Sequence, residues 1–121
     1  MGPGPAAGFR QPYYVSAADG SVLNFAGLYD RWKNPETGEP VISCTIIVTD
    51  ANELTRPIHD RMPVILDEAN IGPWLKGEAG TELLRPAAEN RLRMWPVSRR
   101  VNKTGTGDDD PTLLDEVTDL L

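Results

Sequence analysis

The residue of this chain best suited to carry chemistry is its single histidine. His59 stands in "PIHDRMPVIL", Pro57 to Leu66, between an acid, a base and a proline-bounded apolar run. Imidazole is the side chain whose ordinary pKa lies closest to neutrality, so His59 is the natural proton carrier if the protein catalyses anything. Its spacing alone fits a hydrogen-bonded turn histidine as well or better. Pro63 holds Met62 extended, so "HDRM" runs from the end of a helical turn into a strand, the kind of junction where scaffolds present functional side chains. Asp60 and Arg61 read as a solvated pair, or Arg61 as a phosphate ligand. Cys44 is a candidate nucleophile by type, yet among Ile42, Ile46 and Val48 it is expected to be a buried, inert thiol. Arg99, Arg100 and Lys103 form a basic cluster of the sort that usually edges a solvated surface. Trp74 and Trp95 are expected in the core rather than as stacking platforms.

The elements that must position these groups follow from turn chemistry and apolar pattern. "MGPGPAAG" is a flexible entry segment, residues 1–8, and order is expected from Phe9. Strands are predicted at Tyr13 to Ser16 and Val22 to Leu28, joined as a hairpin by Asp19-Gly20. "VISCTIIVTD" after the "NPETGEP" turn predicts a buried central strand, the third of an antiparallel series. Asp50 or Asn52 can cap a helical turn through "NELTR", ending where Pro57 restricts Arg56. "MPVIL" is a further strand. "DEANIGPWLKG" predicts a helical segment from Asp67 to Gly77, broken at Gly72-Pro73. "GTELLRPA" is a short capped turn, "RLRMWPVS" an extended piece, "NKTGTGDDDP" a polar linker and "TLLDEVTDLL" an acidic amphipathic tail. The fold class expected is α+β, a mainly antiparallel, barrel-like sheet with short helices.

Composition sets the outer limits. A length of 121 residues, 40% of them apolar, fits one domain with a core. Eighteen acids against twelve bases, a net charge of -6, argue against wholesale wrapping by nucleic acid and leave room for a local basic groove. No apolar run reaches the roughly 20 residues of a spanning helix, and the start lacks the regions of a signal peptide, so a soluble cytoplasmic protein with no membrane partner is expected. One cysteine and one histidine exclude an internal disulfide and make a structural zinc site unexpected. No cofactor is called for.

Four blocks then belong together: "QPYYVSAADGSVLNFAGLYDRW", "CTIIVTDAN", "IHDRMPVIL" and "WPVSRRVN", in that order from Gln11 to Asn102. They resemble the second half of the SRAP family, the SOS response-associated peptidases or abasic-site processing proteins. The resemblance implies a DNA-damage protein, nucleoid-associated in the cytoplasm, that recognises abasic sites in single-stranded DNA and crosslinks itself to the exposed sugar aldehyde. In that family an N-terminal cysteine forms a Schiff base through its amine and closes a thiazolidine through its thiol. The same cysteine is tied to self-processing of the chain. An Asn, a Glu in a Gly-Phe-Tyr-Glu-Trp-like motif and the His of the His-Asp-Arg block complete the site. By the same resemblance His59 is the catalytic acid/base, Thr49 in "IVTDAN" lines the DNA site, and Arg61 lies near backbone phosphates.

Only the last of these motifs falls within this sequence. Residue 2 is Gly, and no Cys-Gly-Arg start, Asn-Ala-Arg block or Gly-Phe-Tyr-Glu-Trp motif precedes "RQPYYV". Asp30 in "GLYDRW" belongs to a later family block and is not assigned the Glu role. Residues 9–103 are therefore expected to form the C-terminal half of a SRAP-like domain, incomplete at its N-terminal side, with 104–121 as acidic linker and tail. Met1 is then an internal methionine of a longer reading frame, or the gene is a natural truncation. Such a half should expose strand edges and apolar surface, favouring self-association or pairing with an N-terminal half, and be inactive alone. The competing expectation is a non-catalytic module binding single-stranded DNA or a protein.

Overall fold

The computed structural model describes residues 10–103, 105 and 107–118. The Gly/Pro entry segment, Phe9 and the last three residues lie outside them. Among the described residues eight short strands and one α-helix follow in order: β1 (Tyr13–Ala17), β2 (Asn24–Phe25), β3 (Gly27–Lys33), β4 (Pro40–Ile46), β5 (Val48–Asp50), β6 (Arg61–Pro63), β7 (Ile65–Leu66), α1 (Glu68–Leu75) and β8 (Leu92–Pro96). All pairing is antiparallel, and it is shared among four two-stranded ladders: β1 with β8, β2 with β7, β3 with β4 and β5 with β6. The class is α+β and mainly antiparallel, as expected. Among the described residues the ladders close no barrel.

Three chain segments exchange partners at one point. Residues 24–33 pair first with β7 and then with β4; residues 40–50 pair first with β3 and then with β6. At the switch the Ala26 amide donates to the Val64 carbonyl at 2.8 Å, Val64 donates to Ile47 at 2.9 Å, and Ile47 donates back to Ala26 at 2.9 Å. The three bonds close a ring, so each residue that leaves one ladder is satisfied before it enters the next. Gly27 sits beside this ring, where a Cβ would stand 3.1 Å from the Thr45 carbonyl oxygen, so a side chain there would push the strands apart by a few tenths of an ångström.

The core is built on the same ring. Ala26 and Val64 are fully buried, Leu66 nearly so, and Ile47, Ile71, Trp74, Leu83 and Leu84 pack around them. Burial of a side chain such as Val64 is worth about 1.5 to 3 kcal/mol. Trp74 explains why α1 continues across Gly72-Pro73, where the sequence predicts a break: its indole donates to the Gly27 carbonyl at 3.1 Å while the ring packs on the cluster. Tertiary anchoring outweighs the backbone bond that Pro73 forfeits. Asp67 makes no side-chain cap to α1 and is instead paired with Arg91.

Two strand expectations are corrected. Asp19-Gly20 does form a turn, with Gly20 at φ +80°, and Asp19 accepts from the Ser21 hydroxyl at 2.6 Å and the Ser21 amide at 2.9 Å. The strands it separates do not pair with each other, because β1 pairs with β8 and the next segment with β7 and β4. Likewise "VISCTIIVTD" is not a buried central strand. It is interrupted at Ile47 into β4 and β5, and every residue of β4 is exposed because its one ladder partner, β3, is exposed too. Cys44 is consequently an exposed thiol, not a buried one. Trp74 and Trp95 are each half-buried.

The second ladder is tied to the tail. Tyr14 and Trp95 are cross-strand partners with ring centroids 5.2 Å apart, and Arg93 lies 5.2 Å over the Trp95 ring. The Trp95 indole donates to the Leu114 carbonyl at 2.7 Å, and the Val117 amide to the Pro96 carbonyl at 2.9 Å. Asp110 caps a 3-10 turn, Pro111–Leu114, by accepting from the Thr112 amide and hydroxyl.

Candidate functional site

The loop between β5 and β6 is organised by Asn52. Its Oδ1 accepts from the Thr55 amide and hydroxyl, both at 3.0 Å, while its Nδ2 donates to the Ala87 carbonyl at 3.0 Å. Asn52 and Thr55 are buried, so this cap fixes the start of the turn and fastens it to the segment before β8. The turn does not stop at Arg56. The Arg56 amide reaches the Asn52 carbonyl, and the Ile58 and His59 amides both reach Thr55, so Pro57, which has no N–H to lose, lies inside it.

His59 emerges where the turn ends. Its side chain is 71% exposed, and Nδ1 accepts the Arg61 amide at 3.0 Å. That bond leaves the neutral ring with its proton on Nε2, which has no hydrogen-bond partner among the described residues. Asp60 Oδ1 stands 3.4 Å from the same Nδ1. The arrangement presents an oriented Nε2–H to solvent.

Arg61 is paired with Asp50, its cross-strand partner in the β5–β6 ladder, at 3.4 Å. Both are more than half exposed, so the pair contributes little stability and its guanidinium remains exchangeable for another anion. Asp50, Ala51, Arg56, Asp60 and Arg61 line a hollow of about 460 Å³. Arg56 is held by the Ala51 carbonyl at 3.0 Å and by Glu53 at 3.6 Å. Two guanidinium groups thus face one hollow, each with a carboxylate beside it. Asp50 and Arg56 escape a linear reading because their closeness to Arg61 depends on strand register and on the turn.

The residues singled out by sequence are not all brought together. His59 and Arg61 are joined by a hydrogen bond. Thr49 pairs with Met62, so strand alternation sets it on the opposite face of the ladder from Asp50 and Arg61. Cys44 lies in β4 and is not among the residues lining the hollow. In the basic cluster Ser98 caps the 3-10 turn Arg99–Asn102, and Arg100 donates to Asp110 at 3.3 Å and to Thr112 at 3.1 Å. The Asp110 carboxyl is held below its ordinary pKa, chiefly by the Thr112 hydroxyl and amide, with Arg100 adding to them. Among the described residues no group of three or more His, Cys, Asp or Glu side chains could hold a metal ion, and no helix is long and apolar enough to cross a membrane.

An α+β chain of paired antiparallel strands, with a capped turn that delivers a His-Asp-Arg sequence onto a strand, defines the class. The family model described as SOS response associated peptidase (SRAP) matches residues 5–104, and the chain belongs to that family. It is 40% identical over 96 residues to the abasic site processing protein YoqW of Bacillus subtilis (strain 168), a match covering 75% of this chain and 42% of YoqW. It is 45% identical over 87 residues to the abasic site processing protein HMCES of Gallus gallus, covering 67% of this chain and 25% of that protein. An X-ray structure of a Bacteroides thetaiotaomicron protein superposes with a TM-score of 0.80 at 28% identity, over 94% of this chain and 51% of that one. The chain spans about half the length of that solved structure and less than half of these two relatives.

Proposed function

We propose that this chain is the acid/base and phosphate-contacting portion of an abasic-site processing protein that acts on single-stranded DNA. The observation that carries the reading is the His59 imidazole, oriented through Nδ1 by the Arg61 amide and exposed at Nε2, in a chain of the SRAP family. Relatives named abasic site processing proteins support the substrate. In this reading the imidazolium form of His59, whose Nδ1–H turns from the Arg61 amide to Asp60, gives its Nε2 proton to the ring oxygen of the abasic sugar as the C–O bond breaks; the C1 hydroxyl proton leaves to water, which frees the aldehyde, and the neutral imidazole then takes up a proton as an amine adds. Arg61 exchanges Asp50 for a backbone phosphate, and Thr49 contacts a different nucleotide from the other face of the ladder. Imidazole moves protons near neutrality, and guanidinium binds phosphate oxygens in pairs.

The amine and thiol that the family uses for crosslinking do not come from Cys44, which lies mid-strand in β4 with no free α-amine, and in this reading a further segment of SRAP chain supplies them. The chain alone therefore binds without crosslinking. Incubated with abasic single-stranded oligonucleotide and run on a denaturing gel, it is expected to give no shifted band, and a stable adduct would refute the assignment of roles. In a native titration, the one Arg61 phosphate contact gives a log-log salt slope of about -0.7, which Arg61→Ala should remove. A binding constant indifferent to both salt and Arg61 argues against DNA as the ligand. With the other half supplied, His59→Gln should slow crosslinking about a hundredfold while leaving affinity unchanged.

A further inference from the structure

An exposed imidazole keeps one orientation only if something other than packing holds it. For His59 that is the Arg61 amide, and its bond to Nδ1 exists only while residues 59 to 61 keep one backbone conformation. Each of the three is fixed by a different neighbour. The His59 amide donates to the Thr55 carbonyl at 3.1 Å, the Asp60 carbonyl accepts from the Ala51 amide at 3.0 Å, and Arg61 is carried by its pairing with Asp50. Thr55 is placed in turn by Asn52, which accepts from its amide and its hydroxyl. Asn52 is 7% exposed and Thr55 8%, and the bond from Asn52 Nδ2 to the Ala87 carbonyl ties the pair to a segment 35 positions away.

A cap that served the turn alone would not need to be buried, since Ser, Asp or Thr caps a turn at a surface. Burying a primary amide is costly unless its polar atoms are met, and here Oδ1 has two protein donors and Nδ2 a carbonyl acceptor. Water does not compete for this support, although it surrounds the ring above it. We propose that Asn52 is a positioning residue that acts through His59. It sets the Thr55 carbonyl, hence the His59 backbone, hence the place of the ring on the Arg61 amide. The same stretch of backbone carries Asp60, whose carboxylate stands beside Nδ1. Placement matters for a proton carrier, because a displacement of about 1 Å can cost about a hundredfold in rate. The inference rests on the reading of His59 as that carrier, and its test contains no DNA, so the two fail separately.

The Arg61 amide reports on the ring, because Nδ1 is its acceptor. Its exchange with water is followed by NMR in the full chain, with His59→Ala as the reference for an amide that has lost the ring. Asn52→Ala is expected to speed this exchange about fivefold, toward the His59→Ala rate. In the His59→Ala background the same change should add less than about twofold, since a residue acting through the ring has nothing left to act on. Val97→Ala is the control for lost stability, at a buried site whose amide is bonded to Pro12, and should leave the Arg61 amide within about twofold of the unsubstituted chain. The nitrogen resonances of the imidazole give a second signature at about pH 8, where imidazole is ordinarily neutral. They lie far apart while one tautomer is held, and should draw together in Asn52→Ala but not in Val97→Ala. Should Asn52→Ala not fold, Thr55→Val is read in its place: it removes one of the two bonds to Oδ1 and should speed exchange about threefold. An unchanged Arg61 rate in the variant read overturns the proposal. So does an equal rise in Val97→Ala, which would make Asn52 a source of stability alone, or an additive rise on top of His59→Ala.

Discussion

The ring at Ala26, Ile47 and Val64 and the hairpin that leaves it both carry β-branched apolar residues, yet they behave as opposites. At the ring, three segments meet, side chains are buried and each backbone group is satisfied by a different neighbour. Along β3 and β4, two segments meet, the backbone ladder is complete over seven residue pairs, and the side chains have nothing to pack on. Hydrogen bonding is therefore insufficient to make a region of sheet into core; a third layer is what separates the two. The ring owes its stability to packing, and the hairpin owes its regularity to pairing.

Substitutions can widen or erase this contrast. The largest effect is expected at Val64→Ala, which removes fully buried methyl groups at the ring and should cost about 2 kcal/mol in a denaturant titration. Asn52→Ala should follow at about 1 to 2 kcal/mol, since it removes the turn's cap and the bond to Ala87; amide exchange at Thr55 would rise at the same time. Ile42→Thr on the hairpin should change stability by less than about 0.5 kcal/mol, despite deleting a comparable amount of apolar surface. Equal losses at Val64 and Ile42 would show that the hairpin is covered in solution.

The smallest effect concerns the tail and is set by pH. Asp110 has its pKa lowered from 3.8 by the Thr112 hydroxyl first, then by the Thr112 amide and Arg100. The folded state therefore binds fewer protons at this group than the unfolded one. Its contribution is fully present above pH 3.8 and is lost as pH falls through the lower folded value. Trp95 fluorescence, which senses the Leu114 carbonyl on the indole, should report the tail loosening below about pH 4 and stay flat between pH 5 and 7. A transition near neutrality would assign the tail to another group.

Local chemistry was legible in the sequence to the extent that it depended on neighbours in the chain. The turn at Asp19-Gly20, the Asn52 cap, the extended piece before "PVS" and the helix after Asp67 all follow from residues a few positions apart. Partner choice did not, since Tyr13 meets Pro96 and Asn24 meets Leu66 across gaps that alternation alone cannot bridge. The misreading of Cys44 has the same origin. A run such as "VISCTIIV" specifies that its side chains suit burial, but whether a layer arrives to bury them is decided elsewhere. At the candidate site, the position of His59 just before a strand could be read from Pro63, but not from Pro57, which the turn runs through. Which ring nitrogen faces solvent could not, because it is set by the Arg61 amide, nor could the hollow that Arg56 and Asp50 help to line.

The ring of three hydrogen bonds also bears on how the chain folds. No two of its segments can complete it, since closing any pair leaves a donor and an acceptor waiting for the third. Completing the ring brings together residues 38 positions apart, so it is expected to form late and to open as a unit. Its three amides should then exchange with deuterium at a single shared rate, slower than any amide of the hairpin that grows out of it.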